Sequence, residues 1–193
     1  RAHTLTDLKK FCKQNKIPLK IYSYKKEFGM ALDEMLKKLG EKPCRVCGVF
    51  RRYLLNKKTK KYDKIATGHN LDDEAQSIMM NLLKANTSIA ARMGPKTGLM
   101  EIEGFTQRVK PFYFLTQKEV AAYALLNRLE IKFVECPNMA GSFRSLVQNG
   151  LNEIEINDSG SKTNLVTNFL RQRENLLLAG ESGQLGRCRT CGE

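Results

Sequence analysis

The sequence predicts an α/β protein with a mainly parallel sheet flanked by helices. The short apolar runs at 65–68 and 131–134 have the length of buried strands. Longer segments carry apolar residues at helical spacing: Leu32, Met35, Leu36 and Leu39 in one, Ala75, Ile78, Met79, Leu82 and Leu83 in another. The two kinds of segment alternate, and such alternation builds parallel strands joined by helical crossovers.

The elements follow in order. Thr-Leu-Thr-Asp at 4–7 reads as a helix start, with an acidic residue three positions after the cap. Leu5, Leu8, Phe11 and Cys12 then share a face, which makes Cys12 a packed core thiol. His3 precedes that helix and has no partner in sequence. Ile17-Pro18 ends it, and residues 19–24 read as a short strand. Gly40 stands where a helix C-terminal glycine belongs, after the 32–39 helix. A basic helix is predicted over 51–57. The weakly periodic stretch 86–107, with Gly94, Pro95, Gly98 and Gly104, reads as a long loop with one short element at most. Thr116-Gln-Lys-Glu is a capping box, and Ala122, Leu125, Leu126 and Leu129 form the apolar stripe of its helix. The strand at 131–134 then delivers Glu135, Cys136 and Pro137. Residues 141–165 are polar and rich in Gly, Ser and Asn, which predicts a linker; 162–178 predicts a last helix.

Composition narrows the partners. The chain has 193 residues, enough for one domain with a small appendage. No apolar run approaches the roughly 18–20 residues that cross a bilayer. No secretory signal is visible, so a cytoplasmic setting and no membrane partner are expected. Lys and Arg number 33 against 20 acidic residues, a net charge of +13. That excess favours a polyanion, because cationic side chains displace counterions from phosphates. A merely basic, solvated surface is the plainer alternative.

Four of the six cysteines form two C-x-x-C pairs, Cys44 with Cys47 and Cys188 with Cys191. In a chain without a secretory signal this pattern favours metal, cluster or redox chemistry over structural disulfides. Cys44 and Cys47 can reach one metal centre from a single turn, and Cys136, after a later strand, can close it. Three thiolates suit a [4Fe-4S] cluster with one open iron, or zinc with a fourth ligand. A dithiol or unrelated thiols are the remaining alternatives. The second polar centre is Thr-Gly-His-Asn-Leu-Asp-Asp at 67–73. Gly68 permits a tight strand-to-helix turn. Asn70 or Asp72 can cap the next helix, which leaves His69 and a second carboxylate surplus. These suit Mg²⁺ on a nucleotide, or proton transfer. Arg51 and Arg52 can steady phosphates, or simply line a solvated helix face.

The ordered set C-R-V-C-G-V-F-R-R, A-T-G-H-N-L-D-D-E-A-Q, R-V-K-P-F and E-C-P resembles the TtuA/TtcA-type tRNA thiolation enzymes, in particular the branch of TtuA and the archaeal and eukaryotic wobble-uridine thiolases. The similarity covers roughly residues 1–140. It implies an adenine-nucleotide α-hydrolase-like fold, also called the PP-loop ATPase fold, for a catalytic domain at 1–140. It implies a helical, tRNA-facing region at 141–185 and the start of a zinc finger at 186–193. Such enzymes adenylate a uridine or cytidine carbonyl oxygen with ATP and Mg²⁺, then replace it with sulfur. By the resemblance, Cys44, Cys47 and Cys136 are the [4Fe-4S] ligands. Asp72, then Asp73, is the catalytic or Mg²⁺-associated carboxylate. Arg51 stands where relatives carry a basic residue important for activity, and Gly68, His69 and Asn70 line the nucleotide. The partners implied are tRNA, a sulfur donor (sulfide or a sulfur-carrier protein) and a second copy in a homodimer.

The sequence departs from the family pattern in three places. The S-G-G-x-D-S phosphate loop does not occur, so an amino-terminal piece of the family domain is expected before Arg1, and these residues alone are expected to bind ATP poorly. The amino-terminal zinc finger is not found. Cys188 and Cys191 match half of a four-cysteine zinc finger, so they are zinc ligands in a longer chain, a disulfide, or disordered. The expected function is tRNA uridine 2-thiolation. A 2-thiocytidine synthetase and a non-catalytic, zinc-stabilised RNA-binding module are the alternatives; lysidine synthesis, which needs no sulfur, sits badly with the three cysteines.

Overall fold

The structure, a computed structural model, describes residues 2–97, 106–129 and 136–179. The chain divides into two units, Arg1–Leu55 with Val120–Ala140, and Asn56–Glu119 with Gly141–Glu193.

The first unit holds α1 (Ala2–Gln14), α2 (Tyr24–Phe28), α3 (Leu32–Leu39), the larger part of α4 (Pro43–Thr59) and most of α7 (Gln117–Leu126). Helix α1 is already under way at Ala2, before the predicted start. Cys12 is buried as expected, while Leu8 and Phe11 of the same stripe are exposed. The strand predicted at 19–24 does not form. Ser23 instead caps α2 by accepting from the Lys26 N–H at 3.3 Å, and no described strand pairs with the extended residues before it. Leu19, Ile21 and Tyr22 are left exposed. Helix α3 matches its prediction. The Glu34 carboxylate accepts from the Ala31 N–H, and Gly40 closes the helix in the left-handed region at φ 62°. Helix α4 is longer than the predicted 51–57 because Pro43 is preorganised for a first helical position, which takes Cys44 and Cys47 into the helix. Its Phe50 and Tyr53 pack with Tyr24 and Phe28, the Phe28 and Phe50 rings meeting edge to face at 4.9 Å. The apolar stripe predicted for α7 faces solvent: Leu125 and Leu126 are exposed and Ala124 is the buried residue.

The second unit carries the sheet. Its strands are β1 (Lys64–Ala66), β2 (Lys96–Thr97) and β3 (Gln107–Val109), in the order β1-β3-β2. β1 and β3 are parallel, with Ile65 opposite Arg108; β2 and β3 are antiparallel, with Lys96 opposite Val109. The described sheet is therefore small and mixed, not mainly parallel. Ile65 is half-buried between two exposed neighbours, so β1 is not the fully buried strand that its apolar run suggested. Helices α5 (Leu71–Leu83), α6 (Thr87–Ala90), α8 (Phe143–Asn157) and α9 (Ser161–Ala179) build the core with the 111–115 turn. Leu71, Ala75 and Ile78 of α5 meet Ala90, Tyr113, Val147, Leu151, Val166 and Phe169.

Helix α8 replaces the predicted linker. Ser142 caps it by accepting from the Ser145 N–H at 3.2 Å. Val147 and Leu151, one helical turn apart, are its buried residues. The polar residues between them hid that short stripe. Helix α9 matches its prediction within a residue at either end. The 98–105 stretch, the predicted strand at 131–134 and the tail with Cys188 and Cys191 lie outside the described residues. No described helix is long and apolar enough to cross a membrane.

Candidate active site

Pro43 opens α4, and the next turn presents Cys44, exposed, and Cys47, half-buried. Their i, i+3 spacing sets them on one face, and Arg51, four residues beyond Cys47, continues that face. Arg51 is exposed. Arg52 is committed otherwise: its Nε donates to the Gly48 carbonyl at 3.0 Å. The Tyr24 hydroxyl donates to the Cys47 carbonyl at 3.2 Å and lies 3.6 Å from Cys47 Sγ. Cys136, half-buried, opens a turn closed by the Met139 N–H on its carbonyl. Cys44 Sγ lies 4.0 Å from the Asn138 carbonyl oxygen of that turn. All three cysteines carry thiols rather than disulfides, the soft donor set that iron–sulfur clusters and zinc take. Among the described residues, no group of three or more His, Cys, Asp or Glu side chains is drawn together to metal-holding distance. The donor chemistry fits a cluster, and Cys44 borders the turn of Cys136.

In the other unit, β1 runs into the polar turn. The Thr67 N–H continues the ladder to the Val109 carbonyl at 2.9 Å, and the Thr67 hydroxyl contacts His69 Nδ1 at 2.9 Å. Gly68 and His69 are exposed. Gly68 is not in the left-handed region, and a Cβ there would meet nothing within 4 Å. The fold itself therefore does not require glycine; the turn leaves open space over its backbone. Asn70 is the cap of α5. It accepts from the Asp73 N–H at 3.0 Å, and Asp73 Oδ2 accepts from the Asn70 N–H at 3.2 Å.

The first turn of α5 holds Asp72, Asp73 and Glu74, well placed for the positive end of the helix dipole. Each has its own cation. Asp72 is buried; its Oδ1 accepts from Lys162 Nζ at 2.6 Å and its Oδ2 from the Gln117 N–H at 2.6 Å. Asp73 Oδ1 accepts from Arg144 at 2.9 Å, and Arg144 also donates to Gln76. Glu74 is buried against Lys110 at 2.8 Å. Burial above all, then the Glu74 charge, pushes the Tyr113 phenol far above its ordinary range, with Arg173 acting in the opposite sense. The Tyr113 hydroxyl is buried without a hydrogen-bond partner among the described residues. At the start of α7, the N–H and hydroxyl of Thr116 both donate to Glu119, whose carboxyl they hold below its usual range.

The sequence reading missed Lys162, Arg144 and Lys110 as partners of these acids, and Gln76 as the second acceptor of Arg144. One signal was available for Lys162: a lysine in a first helical turn opposes the dipole and needs another reason to be there.

No protein-family model matches the chain. Among curated proteins it is 34% identical over 184 residues to the tRNA-5-methyluridine(54) 2-sulfurtransferase of Thermus thermophilus, covering 94% of this chain and 57% of that protein. It is 37% identical over 186 residues to the protein of the same name from Pyrococcus horikoshii, covering 95% of this chain and 58% of that one. Among solved structures it resembles the U34-tRNA thiolase NcsA from Methanococcus maripaludis with its [4Fe-4S] cluster, with a TM-score of 0.78 and 33% identity over 98% of this chain and 59% of that chain. The chain thus spans a little over half the length of these relatives. Over nearly all of its own length, this chain belongs to the TtuA/NcsA-type family of tRNA 2-thiolation proteins, and its α/β fold is of the PP-loop ATPase kind.

Proposed function

We propose that the protein containing this chain is a tRNA uridine 2-thiolation sulfurtransferase that activates the base with ATP and replaces its C2 oxygen with sulfur. The observation that carries this reading is the pairing of Cys44 and Cys47 on one face of α4, with Cys44 Sγ 4.0 Å from the turn that Cys136 opens. Two further facts support it: the family relatives are named for this activity, and the NcsA thiolase is described with a [4Fe-4S] cluster.

A uridine C2 carbonyl is a weak electrophile with a poor leaving group. Transfer of AMP from ATP to that oxygen releases pyrophosphate. Sulfur then bonds to C2 as the C2–O bond breaks, and AMP departs with the oxygen. Cys44, Cys47 and Cys136 would hold a [4Fe-4S] cluster, which when bound supplies an iron not ligated by the protein, where a sulfur nucleophile can be held.

The open space over Gly68 admits close approach of a nucleotide to the backbone. His69 and Asn70 flank that opening. Asp72 serves in the reaction or with Mg²⁺, Asp73 supports it, and Arg51 supplies an exposed positive charge on the cysteine face of α4. The basic surface and the 141–185 region, with α8 and α9, face tRNA in this reading; the sulfur comes from sulfide or a sulfur-carrier protein, the protein works as a homodimer, and its setting is cytoplasmic.

The test is a thiolation assay with the full-length protein, ATP, sulfide and unmodified tRNA, read by mass spectrometry of the digested nucleosides. ATP-dependent 2-thiouridine is the expected product. Accumulation of 2-thiocytidine, or no thiolated base from cluster-loaded protein, would overturn the reading.

A further inference from the structure

Lys162 stands in the first turn of α9, where the helix dipole disfavours a cation. Its side chain is only 10% exposed. The N-terminus of α9 does not need it. The Glu155 carboxylate already accepts from the Gly160 and Lys162 N–H groups, both at 2.8 Å. The ammonium instead donates to Asp72 Oδ1 at 2.6 Å and to the Asn152 side-chain oxygen at 2.5 Å. The second oxygen of Asp72 accepts from the Gln117 N–H. The carboxylate is thus gripped from both sides, by α9 on one oxygen and by the first residue of α7 on the other. Asn152 takes another of the three ammonium donors, so the head group cannot swing away without losing a second bond. Apolar residues of the same volume would pack such a site at least as well, since a buried ion pair adds little net stability. A role in stability therefore does not account for this arrangement.

We propose that Lys162 is a positioning residue: it holds the Asp72 carboxylate in the orientation that the thiolation reaction uses. The inference rests on the reading of Asp72 given above, and the experiment separates the two. Single-turnover and steady-state thiolation are measured in the full-length, cluster-reconstituted protein for Asp72→Asn, Lys162→Met, the double variant and Asn152→Ala. Folding of each is followed by circular dichroism.

Lys162→Met should lower kcat about 100-fold, the scale expected when a reacting group is displaced by about an ångström, with the KM for tRNA unchanged within about twofold. Adding Lys162→Met to Asp72→Asn should cost nothing further, because the group being positioned is already gone; a purely structural lysine would give losses that multiply. A folded Lys162→Met protein with wild-type kcat, alongside an impaired Asp72→Asn, overturns the positioning role and leaves the reading of Asp72 standing. An Asp72→Asn protein with wild-type kcat overturns that reading and the positioning role with it. Should Lys162→Met not fold, Asn152→Ala decides. Asn152 is exposed, so the fold tolerates its loss. A severalfold lower kcat at constant KM supports the proposal, and an unchanged kcat overturns it.

Discussion

Two helix N-termini hold the candidate site residues of this chain, and they are built in opposite ways. In the first turns of α4, the sulfur contacts of Cys44 and Cys47 among the described residues are long, at 4.0 and 3.6 Å, and the nearby ion pair between Arg45 and Glu41 is solvent-exposed. In the first turn of α5, Asp72, Asp73 and Glu74 are each held by a separate cation, two of them in buried pairs. The cysteine turn keeps its donor atoms available for a group that arrives from outside. The carboxylate turn is already satisfied internally, so its acids are oriented before any ligand binds. The first turn thus presents soft donors with few bonds, and the second presents charged groups fixed in place.

The sharpest way to break this contrast is Cys136→Ala. If the cysteine turn is an open donor set, this change should reduce iron loading by more than half and thiolation about 100-fold or more, the upper end of what disturbing a metal site costs, with an unchanged circular dichroism spectrum. Iron loading equal to wild type would place the third ligand elsewhere.

The next effect is on stability and belongs to the carboxylate turn. Lys110→Met leaves Glu74 buried without its cation, which should cost about 3–5 kcal/mol in urea unfolding. The matching change in the other region, Arg45→Met, removes an exposed i, i+4 pair with Glu41 and should cost no more than about 0.5 kcal/mol. Equal losses from the two would erase the distinction between the turns.

The smallest effect on the fold is expected at Gly68. A Cβ there meets nothing within 4 Å and the backbone is not left-handed, so Gly68→Ala should change stability by less than about 1 kcal/mol. If the nucleotide binds over Gly68 as proposed, the same change should raise the KM for ATP in the full-length protein, because the methyl group fills that open space. A large loss of stability would mean that the turn needs glycine for itself.

Much of this was legible in local sequence. The capping box of Thr116 and Glu119, the left-handed Gly40 and the apolar residues at the start of α5 depend on neighbours within a few positions, and the structure repeats them. Patterns needing distant partners were not legible. Residues 19–24 have strand-like composition, but a strand exists only where a ladder partner stands. Leu125 and Leu126 have helical spacing, yet nothing in the sequence says which face of α7 is covered. Helix α8 was lost because two buried residues, Val147 and Leu151, carry its apolar signal. At the site, the cysteine pair and the Gly68–Asp73 turn stood out by spacing. The cations did not, since Lys162, Arg144 and Lys110 lie 90, 71 and 36 residues from the acids they hold. A single sequence carries no term that links such positions.

In the proposed function, Cys44, Cys47 and Cys136 hold an iron–sulfur cluster. Anaerobic purification of the full-length protein, followed by iron and sulfide analysis and a visible spectrum, tests it most directly. Brown protein with broad visible absorbance and close to four iron atoms per chain is expected, with loss of both in a Cys44→Ala/Cys47→Ala variant. Colourless protein that holds only zinc would contradict it.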